Sequence, residues 1–319
     1  MSGTARGLGA RPWLATGFVA VTATTFALGS TLVRFAYDAG AGTLSVITVR
    51  TTTAALGLGL LLLWRGISFR LSARERWAAP LIGVLLAAYS CATYESLEYM
   101  PVALTVLTFY TYPLFTGLFV WITRQERFGA AGLVALPLAF LGLLLALDVS
   151  GKDFSFIGAR WALLGSVGFT TVLVLTTRLL PPTADTRPRT FVMLVTASAT
   201  CLLVSLATRA VWLPMTAGGW SGLMGSSLCY TLGMTAIMFA TSELGAARVA
   251  LVMNVEPVAS LILTFLILGE HLRPFQLVGA ACVIVAIFLF RPRPRTGTAT
   301  VAGAAEPHYS EATGGASRR

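Results

Sequence analysis

The sequence predicts an all-α polytopic membrane protein with ten transmembrane helices, arranged as two inverted five-helix repeats. Three observations predict this fold class. Ten apolar stretches long enough to cross a bilayer lie between Trp13 and Phe290, the second half of the chain repeats the first at an offset of 144 residues, and charged residues are scarce. A water-soluble globule is excluded because too little polar surface remains to cover it.

The scarcity of charge sets the class of protein. Of the 319 residues, 56% are hydrophobic and only 11% are charged, and the mean hydropathy is +0.78. A soluble domain carries roughly a quarter charged residues. Backbone groups in lipid must bond to one another, and apolar runs of about 18 to 22 residues suit helices that cross roughly 30 Å of hydrocarbon. These runs are too long for barrel strands of about 9–11 residues.

The apolar stretches define the expected domains and helices. We expect a first repeat at 13–147, a linker at 148–157 and a second repeat at 158–290. Residues 1–12 are expected to form a cytoplasmic tail, and the Gly/Ala/Thr/Ser-rich residues 291–319 a disordered cytoplasmic tail. The spans are expected at about 13–34, 42–64, 78–96, 101–122, 130–147, 158–179, 190–211, 219–241, 247–268 and 275–290.

The internal repeat predicts how the two halves are oriented. The same residue type recurs 144 positions later at six positions, and each half holds five candidate spans. Because five is an odd number, the second copy must lie upside down relative to the first. Inverted repeats of this kind are typical of secondary transporters, whose substrate site lies between the halves near the midplane. The six pairs are Arg34/Arg178, Arg65/Arg209, Ala103/Ala247, Leu107/Leu251, Pro113/Pro257 and Glu126/Glu270.

The net charge of +10 reports membrane orientation rather than nucleic-acid binding, because the basic residues lie in short loops and tails between apolar spans. With the N-terminus inside, 17 arginines fall on the cytoplasmic side and 5 Arg/Lys residues outside. Cytoplasmic loops carry an excess of Arg and Lys. We therefore expect a multi-pass protein of the cell membrane with both termini cytoplasmic.

The residue types needed for catalysis are scarce. There is no phosphate-binding GxxxxGK[ST] loop and no HExxH pair, and the cysteines show no CxxC spacing. The sequence therefore predicts no enzyme activity, no cofactor and no metal site. The four cysteines are expected to be free thiols inside spans: Cys91, Cys201, Cys229 and Cys282. The chain has two histidines, His271 and His308.

Two prolines lie near the middles of spans four and nine, at equivalent positions of the repeat. Proline removes a helical N–H and clashes with the carbonyl four residues back, so we expect Pro113 and Pro257 to kink their helices. In a membrane helix the freed carbonyl must find a partner or line a cavity. The alternative is that both prolines only shape helix packing. The polar residues beside the kinks, expected to contribute to a substrate site, are Tyr110, Tyr112, Asn254 and Glu256.

Three further interpretations concern single side chains inside spans. An acid near mid-bilayer is costly and is a functional candidate by default, so Glu256 is expected to bind a substrate amine or a proton. The alternative is a structural ion pair or a hydrogen bond to a neighbouring helix. Arg50 is expected either to receive a carboxylate or to extend to the outer interface. Tyr89 lies mid-span and either faces the substrate path or packs against a neighbour.

The stretch from Tyr94 to Leu145 (YESLEYMPVALTVLTFYTYPLFTGLFVWITRQERFGAAGLVALPLAFLGLLL) resembles the EamA repeat of the drug/metabolite transporter superfamily. A mid-span proline, a Glu-containing loop and a small-residue-rich span occur in that order, and Ser242 to Leu289 repeats the pattern. The resemblance implies a ten-helix carrier that exports amino acids or other small metabolites through a central cavity lined by both halves. Arg50 matches the family's frequent arginine early in the second span.

The leading hypothesis is a secondary transporter that works by alternating access. The two five-helix halves would rock about the site, and export would be driven by the substrate gradient or by protons. Expected partners are a small-molecule substrate and the lipid bilayer, with no nucleic acid, and the protein is expected to be a monomer or a homodimer. The alternatives are a polytopic membrane enzyme acting on lipid or peptide, and a non-transporting membrane sensor.

Overall fold

The computed structural model describes residues 12–99, 102–123, 130–146, 154–180, 185–209, 211–268 and 274–289. All regular structure within these ranges is helical. Besides a 3-10 turn at Ser96–Glu98, the helices are α1 (Pro12–Asp38), α2 (Thr43–Trp64), α3 (Ala73–Glu95), α4 (Val102–Phe109), α5 (Tyr112–Ile122), α6 (Ala130–Ala146), α7 (Phe156–Leu179), α8 (Arg187–Thr208), α9 (Ala217–Leu244), α10 (Ala246–Val252), α11 (Val255–Leu268) and α12 (Pro274–Leu289).

The helical class predicted from the sequence is confirmed for the described residues. Eight stretches are long and apolar enough to cross a membrane, and two of these, Leu104–Ile122 and Ala246–Ile267, each combine two consecutive helices. The apolar parts of α6 and α12 are shorter, at Val134–Leu145 and Leu277–Ala286. Ten spans therefore remain a prediction, whereas a polytopic all-helical protein is observed.

The sequence repeat is also a structural repeat. Five of the six helices in the first half begin 144 residues before their counterparts, and the sixth pair differs by one residue. Helix α2 and its counterpart α8 have identical lengths of 22 residues. The two halves are thus built from the same helices in the same order.

Hydrogen bonds between α2 and α8 show that equivalent helices run in opposite directions. The hydroxyls of Thr48 and Ser205 lie 2.8 Å apart, and those of Thr52 and Ser198 lie 2.7 Å apart. Residue numbers rise along α2 as they fall along α8, so the two helices are antiparallel. Because α2 and α8 occupy the same place in their repeats, the two repeats are inverted relative to each other.

The helices define two ends of the bundle. At the near end, where α1 begins and α9 ends, the ring centroids of Phe18 and Phe239 are 5.9 Å apart. At the far end, where α1 ends and α2 begins, the Trp212 N–H donates to the Ser45 hydroxyl over 2.8 Å. Helix α10 follows α9 and lies at the near end, whereas α4 follows α3 and lies at the far end.

The two repeats are interleaved. Helix α1 packs along α9, α3 along α7 and α6 along α12, so that the main partner of each of these helices belongs to the other repeat. Glycines permit the close approach: a Cβ atom on Gly222 would lie 2.6 Å from the Leu32 carbonyl oxygen, and one on Gly168 would lie 2.8 Å from the Tyr89 Cβ. The repeats therefore do not form two separate five-helix bundles.

Gly83 shows how tightly α3 and α8 pack. A Cβ atom there would overlap the Met193 carbonyl oxygen and lie 2.8 Å from the Thr196 Cβ. Gly83→Val is expected to destabilise the protein by about 1–3 kcal/mol through overpacking, measured as a lower melting temperature in detergent. Gly17→Val is the control, because a Cβ atom at Gly17 has no heavy atom within 4 Å. Equal melting temperatures for the two variants would contradict this packing.

Candidate functional site

Both proline-containing spans are divided into two helices at the same point of the repeat. Helix α4 ends at Phe109 and α5 begins at Tyr112, while α10 ends at Val252 and α11 begins at Val255. At the second break the Glu256 N–H donates to the Met253 carbonyl over 2.9 Å. Since the following Pro257 has no N–H, the α-helical ladder cannot continue through this turn. Each break therefore interrupts the regular α-helical hydrogen bonding within its span.

An aromatic cluster forms around the first break. The Phe109 ring lies 5.4 Å from Tyr112, 5.7 Å from Tyr110, 5.8 Å from Phe169 and 6.0 Å from Tyr89, measured between centroids. Such separations suit offset and edge-to-face ring contacts. Three of the tyrosines expected to contribute to a site, Tyr89, Tyr110 and Tyr112, are thus brought together from α3 and the α4–α5 break.

Arg50 lies inside the bundle rather than at the outer interface. Its side chain is 9% exposed, and its Nε atom has no hydrogen-bond partner among the described residues. The guanidinium carbon lies 4.8 Å from the centroid of the Tyr230 ring on α9, a cation–π contact. Tyr230 in turn packs edge-on against Phe26, with centroids 6.2 Å apart. The arginine head is therefore held against an aromatic ring, and its Nε atom is buried without a hydrogen-bond partner among the described residues.

Glu256 lies in the first turn of α11, where the helix dipole favours a negative charge. Its carboxylate faces the Tyr110 hydroxyl, and Arg50 is close enough for its charge to act on Glu256. In the described part of the chain Glu256 has no ion-pair partner within 4 Å. Of the two structural alternatives, the ion pair is therefore not formed among these residues, whereas the contact with the Tyr110 hydroxyl fits a hydrogen bond to a neighbouring helix.

Side chains deep in the bundle retain accessible surface on the far side of Glu256. Glu256, Tyr89 and Tyr230 are enclosed by protein but partly accessible. Tyr37 and Tyr94, at the far ends of α1 and α3, are also partly accessible, and Tyr37 lies near both Tyr94 and Arg50. These five side chains border accessible space inside the bundle, between its far end and the Glu256 carboxylate, and this space is called the recess.

The recess is closed on its near side. Val252, Met253 and Asn254 are at most 3% exposed, and Tyr112 is 1% exposed. The Asn254 side-chain amide donates to the Leu251 carbonyl over 2.9 Å. The Asn254 side chain therefore bonds to the last turn of α10 and is not brought to the Glu256 carboxylate.

The two pseudo-equivalent helices α4 and α10 have different surroundings. All seven residues of α10 are buried, and this helix packs against α1, α5, α7 and α9. Its counterpart α4 packs mainly against α7 and the 3-10 turn Ser96–Glu98. Among the described residues, α10 is therefore enclosed more completely than α4.

Buried charges reinforce the near end. Arg189 in the first turn of α8 lies 3.5 Å from Glu75 in the first turn of α3, and their side chains are 2% and 8% exposed. The other Glu75 oxygen accepts from the Ser72 N–H and hydroxyl in a capping box. Arg248 in α10 donates to the Thr16 hydroxyl in α1 over 3.1 Å. These contacts join helices of the first repeat to helices of the second.

Reasoning from the sequence found part of this arrangement. The prolines and the residues before them indicated the two breaks, and Arg50 was indicated by its position inside an apolar span. Tyr230 and Phe169 were missed. The repeat does not mark them, because Leu86 and Thr25 stand at the equivalent positions.

Comparisons with known proteins agree with this architecture. Residues 13–147 and 156–291 match the model of the EamA-like transporter family. The "Uncharacterized transporter sll1319" of Synechocystis sp. (strain ATCC 27184 / PCC 6803 / Kazusa) is 23% identical over 224 residues, which is 67% of this chain and 66% of that protein, just under two thirds of its length. A crystal structure titled "Crystal structure of protein" superposes with a TM-score of 0.67 at 20% identity, covering 86% of this chain and 94% of the other, and shows the same fold.

Proposed function

Because the chain belongs to the EamA-like transporter family, we propose that it is a secondary transporter that exports amino acids or other small metabolites across the cell membrane. Transport proteins of inverted-repeat design hold their substrate near the midplane, between the repeats. The observation that carries the proposal is the recess ending at Glu256, which side chains from both repeats line. Tyr37, Tyr89 and Tyr94 come from the first repeat, and Glu256 and Tyr230 from the second.

The roles of the lining residues follow from their chemistry. A carboxylate and a guanidinium that have no ion-pair partner among the described residues, set among aromatic rings, suit a small polar solute better than a lipid. Glu256 would bind a cationic group or a proton, and Arg50 an anionic group. Tyr89, Tyr110 and Tyr112 would form the aromatic wall. Asn254 would act by holding the end of α10 beside the site.

Alternating access would exchange the surroundings of α4 and α10. In an inverted repeat the second state resembles the first with the two halves exchanged. The near end would open when α10 loosens, and the far end would close when α4 packs as α10 does in this structure. Since the repeats are interleaved, the moving bodies would each contain helices of both repeats rather than five-helix halves. Pro113 and Pro257, next to the breaks, would set where the spans bend.

The orientation follows from the distribution of arginines. In the topology that the Arg/Lys bias predicts, the near end would face the cytoplasm. Because the recess is closed on that side, the structure would represent an outward-facing state. Both termini would then be cytoplasmic. The tail at 291–319 lies outside the described residues.

The proposal is tested by comparing metabolites in medium and cells with and without overexpression of the protein. One compound class is expected to accumulate outside the expressing cells. The comparison uses several hosts so that a substrate absent from one is present in another. Identical profiles in every host, with the protein shown to be in the membrane, would contradict the proposed function.

A further inference from the structure

We propose that Arg74, Arg178 and Phe119 form a binding site for the phosphate of an anionic phospholipid at the near end of the bundle. The site lies on the exposed surface, at the end of the bundle away from the recess. It concerns a lipid partner and does not depend on which solute the protein transports. Its basis is a hydrogen bond and a cation–π contact that bring two arginines together beside an apolar surface.

Three helix ends meet at this place. Helix α3 begins at the near end, and α5 and α7 end there. The Arg74 Nη2 atom donates to the Arg178 carbonyl oxygen over 3.0 Å, so the Arg74 head lies against the last turn of α7. The same turn carries the Arg178 side chain, whose guanidinium carbon lies 5.0 Å from the centroid of the Phe119 ring. Two positive charges are therefore held at one helix end.

The arginines of this site are accessible to a ligand. Arg74 and Arg178 are both exposed. Arg74 forms no ion pair in the part of the chain that the structure describes, and its bond to the Arg178 carbonyl uses one of five guanidinium donors. The acid next to it, Glu75, is buried and faces Arg189 on α8. The start of α3 thus presents positive charge and N–H donors, which suit a phosphate group.

The neighbouring surface suits the acyl chains of a lipid. Leu118, Phe119 and Ile122 are all exposed on the last turns of α5. Residues three and four apart lie on one face of a helix, so these side chains form an apolar strip beside the Arg178 guanidinium. A lipid whose phosphate is bound by the arginines would lay its chains along this strip, whereas a free phosphate ion would leave the strip unused.

The inverted repeat provides a comparison with the opposite end of the bundle. At the positions that the offset of 144 residues relates to the site, the chain has Gly218 for the first arginine, Leu263 for the ring and Arg34 for the second arginine. The far end therefore has one arginine at the corresponding place, without the second arginine and the ring. The near end, which the Arg/Lys bias predicts to face the cytoplasm, has all three. Anionic lipids of the cytoplasmic leaflet attract basic residues near the membrane surface.

Binding is measured by native mass spectrometry on the purified full-length protein in detergent, with equal amounts of phosphatidylglycerol and phosphatidylcholine. The protein is expected to retain phosphatidylglycerol in preference, because phosphatidylcholine has no net charge. Arg74→Gln/Arg178→Gln is expected to weaken phosphatidylglycerol binding at least about tenfold, since each basic residue near an anionic lipid contributes roughly a factor of five. Equal retention of phosphatidylglycerol by the parent protein and this variant would overturn the site.

Arg65→Gln is the matched control for the loss of one near-end charge. Arg65 is exposed at the end of α2, whose main partners are α8 and α9, and its guanidinium carbon lies 4.9 Å from the Trp64 ring. The substitution leaves the end of α7 untouched. Arg178→Gln is expected to weaken phosphatidylglycerol binding about fivefold, and Arg65→Gln by less. Equal losses would mean that the near end attracts anionic lipid through its total charge, which would overturn a defined site.

Two further measurements separate a lipid site from an ion site and from a structural role. Phosphatidylglycerol is expected to raise the melting temperature of the parent protein, and inorganic phosphate is expected to leave it unchanged. An equal rise with inorganic phosphate would overturn the lipid assignment. Arg74→Lys/Arg178→Lys keeps both charges and is expected to retain most of the phosphatidylglycerol binding. A loss as large as that of the glutamine variant would show that these charges do not hold the lipid.

Discussion

Glu256→Gln is expected to abolish transport while leaving the protein in the membrane. Glutamine keeps the size of the side chain and removes its ability to carry a negative charge. The substrate's cationic group, or a coupled proton, then has no counterion in the recess, and the Arg50 guanidinium has no compensating charge nearby. The measurement is the amount of the exported compound in the medium. For cells that express the variant, it is expected to fall to the level found with cells that lack the protein.

Glu98→Gln is the matched control for this variant. Glu98 is exposed in the 3-10 turn at the far end, outside the recess, so the same chemical change there is expected to leave export unchanged. Full export by Glu256→Gln, at equal membrane abundance, would show that the carboxylate is structural.

Breaking the Arg189–Glu75 pair is expected to have the largest effect on stability. Both side chains are buried, and Arg189 lies at a helix N-terminus, where the dipole disfavours a cation. Arg189→Met leaves Glu75 buried without its counterion, at a cost of about 3–5 kcal/mol. The double variant Arg189→Met/Glu75→Met removes both charges and is expected to recover much of this loss. The melting temperatures of the single and double variants, measured in detergent, give the coupling energy.

The neighbouring pair Arg187–Asp185 provides an internal comparison. Its atoms are closer, 2.7 Å apart, but its side chains are 39% and 33% exposed. Water screens such pairs, which contribute about 0–1 kcal/mol. Asp185→Asn is therefore expected to change the melting temperature little. If Asp185→Asn lowered the melting temperature more than Arg189→Met, burial would not control the strength of these pairs.

Periodic and repeated features of this fold could be predicted from the sequence. Apolar length predicts where helices lie, because every span must cover a similar thickness of hydrocarbon. The offset of 144 residues carries over from residue identities to helix starts, and Pro113 and Pro257 mark the two places where spans divide. Each of these signals is local along the chain.

Contacts between distant residues could not be predicted in the same way. Nothing in the repeat indicates that α1 packs along α9 rather than beside α2, because the residue types along one span do not specify its partner. The rings that hold Arg50 and complete the aromatic cluster, Tyr230 and Phe169, lie in spans without proline, and the repeat does not mark them. The Arg189–Glu75 pair joins helix ends that the sequence would assign to loops at the membrane surface.

The most direct test of alternating access compares two equivalent positions of the repeat, Thr108 on α4 and Val252 on α10. In this structure Thr108 is partly accessible at the far end and Val252 is 3% exposed at the near end. With all four native cysteines replaced, single cysteines at these positions are treated with a membrane-impermeant thiol reagent from each side of the membrane. The account predicts that Thr108→Cys reacts from one side and Val252→Cys from the other, with transported substrate changing both rates. A Val252→Cys protein that transports normally and never reacts from either side would contradict it.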